Sequence, residues 1–134
     1  MINIFNEVYD ALITLLNTEY GNDKIGTASV HVNMPNSFPF VSLEEINNSE
    51  NLRGMDCPQR ENFADIDLEV NIYTQGTTKK SSADNILQVV DTFFKQLGFT
   101  RMSKNNIQDN NETTYCIIAR YSGVVSKDHI VYRR

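Results

Sequence analysis

The sequence predicts an α+β fold in which two helices pack on one face of a mainly antiparallel β-sheet. The predicted order is α-β-β-β-α-β-β(-β), with a long loop between the second and third strands. Three observations carry this. Residues 2–18 place Ile2, Phe5, Tyr9, Leu12 and Leu16 at helical spacing, with Val8 and Leu15 widening the stripe. Residues 63–74 alternate apolar Ala64, Ile66, Leu68, Val70 and Ile72 with Asp65, Asp67, Glu69, Asn71 and Tyr73, the period of a strand with unlike faces. Ile86, Val89, Val90, Phe93, Phe94 and Leu97 then return to helical spacing.

The remaining elements follow in order. Gly21 stops the first helix. Residues 28–32, "ASVHV", read as a short strand, and "NMPNSFP" as a loop broken by Pro35 and Pro39. "FVSLEEI" from Phe40 reads as a second strand, with Phe40, Ser42 and Glu44 on one side and Val41, Leu43 and Glu45 on the other. Residues 47–62 are polar, carry Gly54 and Pro58 and show no period, so they read as the long loop. Ser81 or Ser82 caps the second helix, with Asp84 in its first turn, and Gly98 closes it. "FTRMS" from Phe99 reads as a strand and residues 104–112 as a polar turn. A strand from Thr113 to Val125 and a short one within 128–134 complete the sheet.

This arrangement turns Ile66, Leu68, Val70, Ile72, Tyr115, Ile117 and Ala119 toward the helices. Phe5, Leu12, Leu16, Ile86, Val90, Phe93 and Leu97 come to meet them from the helix side. The opposite sheet face then carries Asp65, Asp67, Glu69 and Tyr73 beside Cys116, Ile118 and Arg120. A wet antiparallel face explains such a mixture. So does a protein interface, which combines a polar rim with apolar and aromatic residues at its centre.

Composition narrows the function. The chain has 134 residues, which fits one domain, and 40% hydrophobic residues, which suffice for a core. Its formal charge of −5 excludes the basic footprint of a nucleic-acid binder and fits a soluble cytoplasmic product. No run has the length of a membrane span, and the N-terminus lacks the basic start of a signal peptide. Cys57 and Cys116, far apart, suggest reduced thiols and not a disulfide framework.

The search for chemistry returns no catalytic, cofactor or metal residues. Asp65, Asp67 and Glu69 share a strand face, but neighbours on that face lie roughly 6.5–7 Å apart, too far for one ion without ligands from elsewhere. His31 and His129 have no ligand-spaced companions. Cys116 reads as a small core or interface residue, and no base is positioned for Cys57. Lys79 and Lys80 precede a helix start, but the glycine spacing of a phosphate loop is missing.

The order "EVNIYT", a Lys/Ser turn, a helix ending in "LGF", "TR", an Asn/Asp loop, "TTY" and "ARYSGVV" resembles tail-terminator and tail-completion proteins. These come from the head–tail connector region of tailed phages. "FPFVSLEEI" fits the short strand before the long loop of such proteins, so the resemblance runs from about Phe38 to the end. It implies a single tail-terminator-like domain over residues 1–134 and no enzyme activity. The implied role is structural: a ring, commonly sixfold, that caps the tail tube, ends its polymerisation and joins the tail to the neck. The implied partners are copies of the chain, the tail tube protein and the neck or head-completion proteins. DNA would pass through the lumen without specific binding. The implied place is the tail–neck junction of a virion made in the bacterial cytoplasm. A head-completion or neck adaptor is the alternative within this class, and a small ligand-binding or enzymatic domain is the alternative outside it. Candidate interface residues are Arg53 and Met55 in the long loop, and Asp65, Asp67, Glu69, Tyr73, Ile118 and Arg120 on the sheet.

Overall fold

The structure is a computed structural model that describes residues 3–21, 25–29, 38–50, 63–76, 79–108, 114–126 and 131–132. Its elements are α1 (Phe5–Tyr20), β1 (Gly26–Ala28), β2 (Phe40–Glu50), β3 (Phe63–Gln75), α2 (Lys79–Leu97), β4 (Thr100–Gln108), β5 (Thr114–Ser126) and β6 (Val131–Tyr132). The predicted order stands.

The strands lie side by side as β1-β2-β3-β5-β4, with β6 against the end of β5. Among the described residues only β1–β2 is parallel; the other pairs are antiparallel. α2 therefore carries the chain from β3 over to β4, and the β4–β5 hairpin inserts β5 between them. Both β3 and β4 run opposite to β5, so they are parallel to each other.

Period-2 alternation builds the floor of the core. Ala64, Ile66, Leu68, Val70 and Ile72 of β3 are fully buried, as are Ile117, Ala119 and Tyr121 of β5. α2 lies over β3, β5 and β4 and drives Ile86, Val90 and Phe94 into this floor; α1 adds Val8, Leu12 and Leu16 to the same cluster. Each such side chain contributes about 1.5–3 kcal/mol relative to exposure. Phe94 stacks on Tyr121 at 4.4 Å and 18°, and meets Phe99 edge-on at 5.7 Å.

Both helices end on left-handed glycines. Gly21 (φ 99°) donates to the Asn17 carbonyl at 2.9 Å, and Gly98 (φ 103°) to that of Phe94 at 3.1 Å. A side chain at that φ would strain the exit of either helix.

The structure corrects several local expectations. α2 begins at Lys79, so Ser81 and Ser82 lie inside the helix and cap nothing, and Asp84 falls beyond its first turn. The deeply buried phenylalanine of α2 is Phe94, at 0% exposure, while Phe93, Phe5 and Leu97 are only partly covered. The first strand is described at 26–28, starting before the 28–32 expected, of which residues 30–32 lie outside the described set. Residues 47–50 extend β2, and 104–108 extend β4, where polar loops were expected. Of the long loop, residues 51–62 lie outside the described set, as do His31 and His129.

Candidate assembly interface

The sheet face away from the helices is built by register. The row Asn47–Asp67–Ser122–Thr100 is followed by Glu44–Glu69–Arg120–Ser103, then by Ser42–Asn71–Ile118–Asn105. Phe40, Tyr73 and Cys116 form the last row. Six of the predicted interface residues, Asp65, Asp67, Glu69, Tyr73, Ile118 and Arg120, therefore share one surface. Arg53 and Met55 lie outside the described residues.

The face divides into a wet half and a closed half. Asp65, Asp67 and Glu69 are half-buried and Arg120 is exposed. Glu69 lies opposite Glu44, a like-charge pair that costs stability when unrelieved. Arg120 relieves it: its Nε donates to Glu69 Oε2 at 3.2 Å. Glu44, Asp65, Asp67 and Glu69 set four carboxylates against that one guanidinium, so the wet half is acidic. No group of three metal-binding side chains occurs among the described residues.

The closed half was not expected. Ser42 and Asn71 are at 0% exposure and Tyr73 at 6%. The Phe40 and Tyr73 rings meet at 6.4 Å with a 59° tilt. Burial pushes the Tyr73 phenol up to about 12, with the Cys116 and Glu69 charges adding to the shift; its hydroxyl donates to the Cys116 sulfur. Burial likewise raises the Cys116 thiol to about 11, against the Tyr73 hydrogen bond that favours the thiolate. Such a cysteine is inert near neutral pH. The Ser42 hydroxyl and the Asn71 amide face each other in register, yet neither has a hydrogen-bond partner among the described residues. An unsatisfied buried amide costs about 1–3 kcal/mol.

Sequence reasoning missed a second polar cluster, on the helix side. Asp91 accepts from Tyr121 at 3.0 Å, Lys95 at 2.9 Å and Arg101 at 3.4 Å. Burial alone would raise its pKa; the hydrogen bonds from Lys95 and Tyr121 and the Arg101 charge outweigh it and hold the carboxyl below its ordinary value. Burial, followed by the Asp91 charge, pushes Tyr121 far up. The Lys95 spacing of i+4 was the only sequence signal for this cluster. It joins α2 to β4 and β5 through the Asp91 carboxylate, so it serves the fold.

No helix among the described residues is long and apolar enough to cross a membrane. No family model matches the sequence, and no curated protein does. Among solved structures, the chain is similar to one in the "Virion of native gene transfer agent (GTA) particle". The two share 12% identity with a TM-score of 0.57, over 88% of each chain. The likeness is one of fold.

Proposed function

We propose that this chain is a structural component of a tailed, phage-like virion. Copies of it form a closed ring, a hexamer in the expected form, at the top of the tail tube. The ring ends tube growth and joins the tail to the neck and head-completion proteins. The observation that carries this reading is the fold held in common, over 88% of each chain, with a chain of a gene transfer agent virion. The acidic half of the sheet supports it. Turned toward the lumen, Asp65, Asp67 and Glu69 repel DNA phosphates and let a genome slide, the reverse of the basic surfaces that hold DNA by releasing counterions. The role needs no catalytic group, cofactor or metal.

Light scattering on the purified chain, followed by negative-stain microscopy, tests the reading. Rings as wide as a tail tube, alone or on added tubes, support it. A chain that stays monomeric even with tubes and turns over a small molecule opposes it.

A further inference from the structure

The sheet has two edges, and both are open over most of their length among the described residues. β1 covers only Phe40–Ser42 of β2, which leaves positions 43–50 without a strand on that side. At the other end β4 is the outermost strand through all nine of its residues. An open edge offers a row of unpaired N–H and C=O groups to another strand.

Two features set these edges apart. First, Ile46 (42%) and Met102 (59%) are the large hydrophobic residues left exposed among the described ones. One lies on each edge, and each is the extra residue of a β-bulge: Ile46 between Glu45 and Asn47, Met102 between Arg101 and Ser103. Second, the edges are oppositely charged. Positions 43–49 hold Glu44 and Glu45 with no base, while β4 itself holds Arg101 and Lys104 with no acid. Asp91 and Asp84 of α2 meet these two cations at 3.4 and 3.8 Å, and the cations' side chains stay 42% and 37% exposed beside the edge. By register, Glu45, Arg101 and Lys104 all belong to the helix side of the sheet, opposite Leu68, Tyr121 and Ala119. Glu45 Oε2 is buried without a hydrogen-bond partner among the described residues. Bulges on free edges also keep strange strands away. That protective role requires neither an exposed hydrophobe at each bulge nor opposite charge on the two edges.

We propose that β4 of one copy pairs with positions 43–50 of β2 in the next copy, with Met102 and Ile46 at the seam. The proposal rests on the ring reading above and names the contact that builds the ring. β2 and β4 run in opposite directions within one chain. An operator that continues the sheet preserves those directions, so the seam is antiparallel. The contact uses two different patches, as a head-to-tail ring requires. The bulges bend both edge strands and supply curvature toward closure.

The test uses exposed side chains, so the fold is retained. Ile46→Lys places a cation against the basic edge of the neighbour, and Met102→Glu places an anion against its acidic edge. Sedimentation velocity over a concentration series, alone and with tail tubes, reads the outcome. Each single variant weakens self-association by roughly tenfold or more, and the chain carrying both regains it to within about threefold. An equimolar mixture of the two single variants also regains it. Single variants that assemble like the unaltered chain overturn the seam and leave the ring standing. A doubly substituted chain weaker than either single variant also overturns it. An unaltered chain that never self-associates, even on tubes, removes the ring reading and the seam with it.

Discussion

The Tyr121 hydroxyl donates a 3.0 Å hydrogen bond to Asp91 Oδ1, fixing α2 to the middle of the sheet. Tyr121 is fully buried and its ring stacks on Phe94, so one residue joins the polar cluster to the apolar core. Asp91→Ala leaves the phenol without its acceptor and the Arg101 charge without its partner. The expected loss is about 1–3 kcal/mol in urea unfolding, since a donor is left buried and unpaired.

The same carboxylate sets an acid limit. Its folded pKa lies below the ordinary 3.8, so its contribution is complete above that value and fades as the pH falls through the folded pKa. Melting temperature followed from neutral pH downward shows a decline below the ordinary value for the unaltered chain. In Asp91→Asn that part of the decline is absent, because the side chain no longer titrates.

Phe94 is the keystone of the aromatic cluster, touching Phe93, Phe99 and Tyr121. Phe94→Ala costs about 3–5 kcal/mol, through lost transfer energy and the cavity left behind. Phe93→Ala costs less, because that ring is only partly buried. Denaturant midpoints of the two variants, measured side by side, decide the order.

Cys116 reports on the closed half of the outer face. Its thiol is raised from 9.0 to about 11. At pH 8 that leaves roughly a hundredfold less thiolate than in an unfolded peptide. Mass spectrometry after brief iodoacetamide treatment shows Cys116 unmodified in the folded chain and modified in urea. Tyr73→Phe removes the hydrogen bond that favours the thiolate, and labelling at Cys116 slows further.

Much of this fold was legible in the sequence because its two central elements obey clean periods. The alternation in 63–74 separates buried Ile66, Leu68 and Val70 from half-buried Asp65, Asp67 and Glu69, as found. The extensions of β2 and β4 were not legible. "NNSE" and "KNNIQ" are polar, and they become strand through pairing with β3 and β5, a tertiary effect that overrides local preference. The closed half of the outer face was hidden for a related reason. Asn71 reads as a wet position within its own strand; Ser42 and Ile118, which flank it, come from separate segments that only register brings together. The Asp91 cluster was not legible either, because Arg101 and Tyr121 are distant from Asp91 in sequence.

The acidic half of the face makes a prediction of its own. Asp67→Lys combined with Glu69→Lys reverses its charge next to Arg120. Rings of this variant retain duplex DNA in a gel-shift assay at low salt and release it as salt rises, whereas unaltered rings do not retain it. Equal behaviour of the two removes the lumen from the explanation of this surface.

Tail length and head attachment, scored by electron microscopy in particles made without this chain, decide whether it completes a virion. Overlong tails, or tails and filled heads lying separate, are the predicted result, with normal particles restored when the chain is supplied again. Tails of ordinary length joined to heads in its absence would contradict a role at that junction.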